Sequence, residues 1–245
     1  MAARQINCAR PEYEWRNNMI SKIVKNEVFI RGMLVGRYQH DNKTTAVICS
    51  RAANKEHPNY QYVTFFDEQK EIVDQMKICD KVVVTARAWI FRDKDTKAIN
   101  NDNLRLRGTS IELARDFMKR TLASAGVPIY GIQMVDCVRF AFNGTISAIN
   151  LTKNNKASVL LSVSEEGQSG FNLIPLLYAG KGLDDVRKIL STYRKGQVVS
   201  VKGFVSQKAI EEEIEGRSIT NYKNTYFITS FLSGEMEADF DELKD

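Results

Sequence analysis

From Asn26 onward the chain runs in short segments where apolar and polar residues alternate or β-branched residues crowd together, the pattern of strands. Such segments cover 28–37, 44–52, 60–66, 81–92 and 104–113. Between the third and fourth the period changes. In 67–77, Ile72, Val73 and Met76 recur at helical spacing, with Asp67 as candidate N-cap. A further helix is expected over 112–123, followed by Ser124-Ala125-Gly126-Val127-Pro128, a connector by its Gly, Pro and small residues. The order then restarts: strands at 137–151, 157–164 and 171–177, a helix at 183–193, and strands at 197–205 and 223–231.

The restart is a repeat. Gly32 matches Gly144 at an offset of 112; Val47 and Ser50 match Val159 and Ser162 at the same offset. Lys81-Val82-Val83-Val84 matches Gln197-Val198-Val199-Ser200 at 116. Five strands with one helix between the third and fourth is the order of an OB-fold, a five-stranded Greek-key barrel. The expected fold is therefore mainly β, with two tandem OB-folds. The divisions are an amino-terminal arm (1–25), a first barrel (26–123), a linker (124–136), a second barrel (137–232) and an acidic tail (233–245). Gly32 and Gly144, inside first strands, suit the bend or bulge that a small barrel requires.

Charge changes the picture more than composition does. Apolar residues make up 43% of the 245 and charged residues 27%, which excludes global disorder. No apolar run approaches the ~18 residues of a membrane helix, and the start lacks a signal-peptide core, so a soluble, cytoplasmic chain without membrane contact is expected. The net charge of +5 hides an asymmetry. Residues 235–245 hold six acids and one base, leaving +10 on residues 1–234. A basic body with an acidic end suggests a polyanion partner, with a tail that competes with it, recruits something else, or only solubilises. Cys8, Cys49, Cys79 and Cys137 form no CxxC pair and read as reduced and mostly buried. With His40 and His57 the only histidines, no metal site and no cofactor are expected.

Single-stranded nucleic acid is held by cations along its backbone and by rings stacked on its bases. Alternation puts Tyr60, Tyr62, Thr64 and Phe66 on one face of their strand, with Gln61, Val63 and Phe65 opposite. In the next strand Val82, Val84, Ala86, Ala88 and Ile90 form an apolar face. Val83, Thr85, Arg87, Trp89 and Phe91 lie on the other, which suits stacking and phosphate pairing. In the second copy, Lys202 and Phe204 are a diluted version of Arg87 and Trp89, with Phe171, Tyr178, Tyr222 and Tyr226 as further aromatics. The acids of Glu211-Glu212-Glu213-Ile214-Glu215, read as a loop, oppose nucleic acid locally.

Several segments together resemble the bacterial and phage single-stranded DNA-binding (SSB) proteins. They are Asn26-Glu27-Val28-Phe29-Ile30-Arg31-Gly32, Ala46-Val47-Ile48-Cys49-Ser50-Arg51, Tyr62-Val63-Thr64-Phe65-Phe66 and Asp80-Lys81-Val82-Val83-Val84-Thr85-Ala86-Arg87. The resemblance covers about residues 26–113. It implies that Tyr60 and Phe66 stack on bases, and that Trp89 or Phe91 takes the family's fourth-strand aromatic position. Arg31 and Arg51, within the matching segments, join the candidate contacts. The family's aromatic in the loop after strand two has no counterpart in 52–57. Two OB-folds in one chain and an acidic end without the bacterial apolar tip resemble the phage type, which implies a host-cell cytoplasm. Asp239, Phe240, Asp241 and Leu243 are the candidate partner-binding residues of the tail.

The implied activity is non-catalytic coating of single-stranded DNA in replication or recombination. Replication proteins would be recruited through the tail, and assembly as a homodimer is left open. A protein-interaction adaptor and an RNA-binding protein are the alternatives. Enzyme readings fail on inventory: the acidic stretch from Asp93 has Ala98 and Leu104 where an EF-hand needs Gly and Glu, and Ala179-Gly180-Lys181-Gly182 lacks P-loop spacing.

Overall fold

A computed structural model describes residues 26–51, 58–90, 104–124, 136–164, 171–214 and 217–233. The arm with Cys8, the loop at 52–57, Phe91, the acidic stretch at 93–103, Glu215 and the tail residues Asp239, Phe240, Asp241 and Leu243 lie outside them. The elements run β1 (Asn26–His40), β2 (Lys43–Ser50), β3 (Asn59–Phe66), α1 (Asp67–Gln75), β4 (Lys81–Ile90), β5 (Leu104–Leu113) and α2 (Ala114–Ser124). The second series is β6 (Cys137–Leu151), β7 (Ala157–Ser164), β8 (Phe171–Tyr178), α3 (Leu183–Thr192), β9 (Val198–Ile214) and β10 (Arg217–Ser233).

Strand pairing closes each series into a five-stranded barrel. β1 pairs with β2 and β4, β2 with β3, β3 in parallel with β5, and β5 with β4. β6, β7, β8, β10 and β9 repeat that circuit, with β8 and β10 as the parallel pair. The chain is mainly β and built of OB-folds, as its pattern predicts. The barrels meet through antiparallel pairing of their first strands, Val28 opposite Phe140 and Ile30 opposite Val138. Their interiors form one apolar cluster in which Val28, Ile30, Phe65, Phe140, Phe142 and Tyr226 are all buried.

The two first-strand glycines answer to close approach. A Cβ on Gly32 would stand 2.4 Å from the Cys49 carbonyl oxygen, and one on Gly144 2.3 Å from that of Ser162. The bulges themselves fall further on, between Leu34 and Gly36 and between Ile146 and Ala148.

Only the first-strand offset of the repeat holds. Leu34 pairs with Ile48 and Ile146 with Leu161, so the second strands correspond at 113. Gly32 pairs with Val82 and Gly144 with Val199, so the fourth strands correspond at 117. The letter matches at 112 and 116 laid one face of a strand onto the opposite face, because apolar letters recur on both sides.

Four other expectations are corrected. β9 and β10 each span 17 residues, far beyond 197–205 and 223–231, and Glu211 to Ile214 belong to β9 rather than to a loop. Among the described side chains of the outer part of this two-stranded ribbon none is buried, and no alternation marks it in sequence. Asp67 does not act as an N-cap but starts α1 in a left-handed conformation, φ 51°. Val83 is buried, because α2 lays Phe117 over it and Phe29. Cys49 and Cys137 are half-buried and Cys79 is exposed, so none of the described cysteines is fully buried.

Candidate nucleic-acid interface

Strand register assembles a mixed surface on the outside of the first barrel. β3 buries Gln61, Val63 and Phe65 and turns Tyr60, Tyr62, Thr64 and Phe66 outward, as period-two reading expects. β4 buries Ala86, Ala88 and Ile90 and exposes Arg87 and Trp89. Between them runs β5, whose Arg105 pairs with Trp89 and whose Arg107 pairs with Arg87 and, on the other side, with Thr64. The Arg107 guanidinium lies 5.0 Å from the centre of the Phe66 ring. Rings and guanidinium groups therefore share one face across three strands, the arrangement that stacking plus phosphate pairing needs.

Arg105 and Arg107 escaped the sequence reading, although Leu104-Arg105-Leu106-Arg107 carries a clear period-two signal. Tyr38 on β1 is a second omission. It is exposed and pairs with Thr45 of β2, which pairs with Thr64. Gly36 and Val47, side by side, form a low floor next to Tyr62.

Burial pushes the Tyr60 hydroxyl pKa up, with Cys49 and Tyr222 adding to the effect. Burial likewise raises that of Tyr62, helped by Tyr38 and Tyr222. Neutral phenols do not repel phosphate. Glu27 on β1 lies beside Arg87, and burial raises its carboxyl pKa against the pull of that guanidinium.

The remaining predicted residues are placed elsewhere. Arg31 pairs with Val83 and Cys137, four residues along β4 from Arg87. Arg51 follows β2, where its N–H donates to the Asp136 carboxylate (3.2 Å), which also binds Lys81 (3.0 Å). Neither joins the Tyr62–Trp89 face. Lys202 pairs with Ala141, whose other partner is Glu27, so the sheet continues from Arg87 across the barrel junction. Phe204 is exposed, pairs with Arg139, and stacks on Phe227 at 5.4 Å; Lys156 stands 5.4 Å from the Phe227 ring centre. The second barrel thus carries a smaller ring-and-cation patch.

The β9–β10 ribbon reaches the first barrel. The Tyr60 N–H donates to Gln207 Oε1 and Gln207 Nε2 donates to the Tyr60 carbonyl, both at 2.7 Å. Asn59 Nδ2 donates to the Val205 carbonyl (2.9 Å), and Gln61 and Gln207 both donate to Asn224 Oδ1. The parallel β3–β5 pairing covers only Val63 and Thr64, so the start of β3 has peptide groups left to bond, and the Gln207 amide takes those of Tyr60.

No family model matches the chain, and no curated protein matches it. Among solved structures it is similar to the wild-type single-stranded DNA binding protein from Thermus aquaticus, at 12% identity, covering 85% of this chain and 92% of that chain with a TM-score of 0.54. A deletion variant of the same protein matches at 13% identity, covering 85% and 93%, also with a TM-score of 0.54. At such identities the likeness is one of fold. Over 85% of its length the chain shares the fold of a protein that is named for binding single-stranded DNA.

Proposed function

We propose that this chain is a non-catalytic single-stranded DNA-binding protein of the SSB type. One observation carries the reading: Tyr62, Phe66 and Trp89 share one face of β3, β5 and β4 with Arg87, Arg105 and Arg107. The fold likeness supports it. Cations capture the backbone, and the rings then stack on bases. The chain would coat DNA during replication or recombination, in the host cytoplasm if it is of the phage type, with divisions at 1–25, 26–123, 124–136, 137–232 and 233–245.

Titrating intrinsic Trp fluorescence with oligo-dT across salt tests this. Binding is expected to weaken at a slope near −0.7 per neutralised phosphate, as counterions are released from the strand. With fluorescein-labelled oligo-dT as the probe, Trp89→Ala is expected to cost about 1–3 kcal/mol of binding with folding intact. A flat salt response overturns the reading. RNA of matched sequence, added as competitor, reports the preferred strand.

The acidic segment 235–245, with Asp239, Phe240, Asp241 and Leu243, would compete with DNA or recruit a replication protein. Its removal is then expected to raise DNA affinity, by less as salt rises. A protein-adaptor role is the second reading. It is favoured by a groove of about 550 Å³ where Ile72, Met76 and Leu113 are rimmed by Lys77, Lys81 and Arg115. Absence of DNA binding at low salt would leave that role standing.

A further inference from the structure

The ribbon that clamps the start of β3 also delivers a ring. Tyr222 on β10 stands two residues from Asn224, on the same side of the ribbon as the amide network that binds Tyr60 and Gln61. Its ring centre lies 5.3 Å from that of Tyr60 at an interplanar angle of 55°. This contact has a consequence for each partner. Tyr60, which the sequence put among the stacking residues, is half covered. Tyr222 keeps 44% of its surface exposed, Tyr62 keeps 49% and Tyr38 58%.

The docking is made of uncharged amide hydrogen bonds to the backbone and side chains of β3. Such bonds do not loosen with salt as ion pairs do, so the ring stays in place under the ionic conditions that modulate phosphate contacts. Lys208 and Lys223, paired with each other, point from the opposite side of the ribbon and do not belong to this surface. Further out on the Tyr222 side, Glu211 and Glu213 are exposed, and their charges mark where a polyanion would have to leave the ribbon.

We infer that Tyr222 is a base-stacking residue of the first barrel's site, so that the nucleic-acid platform is composite and a bound strand crosses from Tyr62 onto the second barrel's ribbon. This inference rests on the proposed single-stranded DNA reading. It assigns to a residue more than 150 positions away in sequence part of the surface that β3 alone was expected to supply, and it makes the second barrel a contributor to the first barrel's affinity.

The full chain and its variants are titrated with fluorescein-labelled oligo-dT at two salt concentrations. Tyr222→Ala is expected to weaken binding roughly 5- to 150-fold, the range for one lost base stack, with an unchanged salt slope because no phosphate contact goes. Tyr222→Phe, which keeps the ring, is expected to bind as the parent does. Thermal melting of each variant reports folding. In the Tyr60→Ala background, Tyr222→Ala is expected to weaken binding by a similar further factor. If it has no effect there, Tyr222 only props Tyr60 and the stacking role is overturned. If Tyr222→Ala binds normally while Trp89→Ala is weakened, the composite platform alone fails. If the parent chain does not bind oligo-dT at all, the underlying reading fails with it.

Discussion

Glu27 is the residue whose charge runs against the rest of the proposed surface. It lies on β1 next to Arg87 of the neighbouring β4, and burial disfavours its ionised form despite that neighbour. A carboxylate next to a phosphate-pairing guanidinium weakens the pairing, so protonating it strengthens binding. Because its pKa is raised, this gain sets in at a higher pH than for an ordinary glutamate, and grows as pH falls. Glu27→Gln is expected to improve oligo-dT affinity at neutral pH by up to about fivefold, the scale of one exposed ion pair. It is also expected to remove that part of the pH dependence, read by the same titration at several pH values. An unchanged affinity and pH profile would show that Glu27 does not face the DNA.

At the scale of elements, α1 illustrates how a short helix is held without caps of its own. No side chain caps its start. Its end is gripped from β1, where Arg37 Nη1 donates to the carbonyls of Val73 (2.8 Å), Asp74 and Met76 (2.9 Å). A cation at the carbonyl end satisfies orphan acceptors and opposes the helix dipole. The Asp74 carboxylate ties the same helix to β2 through Thr44 (2.7 Å) and closes on Lys70 (2.9 Å). Burial alone would raise its pKa, but hydrogen bonds from Gln39, Lys70 and Thr44 hold it at about 2. The sign follows: a depressed carboxyl stabilises above its unfolded value near 3.8, and that contribution is lost as pH falls towards 2. Arg37→Ala is expected to cost about 1.5–3 kcal/mol in denaturant unfolding. Asp74→Asn is expected to flatten the loss of stability between pH 4 and pH 2, approximately the window set by those two values. If both variants unfold as the parent does, the helix is held by Val73 packing alone.

For the whole molecule, the β1–β6 pairing, the shared core and the Gln207–Asn224 clamp couple the barrels. Trp89 lies on β4 of the first barrel, so its fluorescence reports on that barrel and not directly on the second. Leu161 is fully buried in the second barrel. Leu161→Ala is expected to cost roughly 2–5 kcal/mol and to lower the melting midpoint by fluorescence as much as by calorimetry. A fluorescence midpoint that stays put would mean that the barrels unfold independently.

The order of elements was legible in the sequence because strand and helix periods are local: the strands at 104–113, 137–151 and 157–164 appear in the structure at those bounds. So was the outward face of β3, since alternation alone separates Tyr62 from Val63. Register was not. A one-residue slip exchanges the faces of a strand while leaving its apolar letters plausible, and only pairing partners correct it. Nor was the reach of β9 and β10, in whose outer halves none of the described side chains is buried and no hydrophobic period runs. The meeting of Tyr60 with Tyr222 and the clamp of Gln207 on β3 join residues more than 140 positions apart. Their partners are peptide groups and rings that only the docking of one barrel against the other brings within reach.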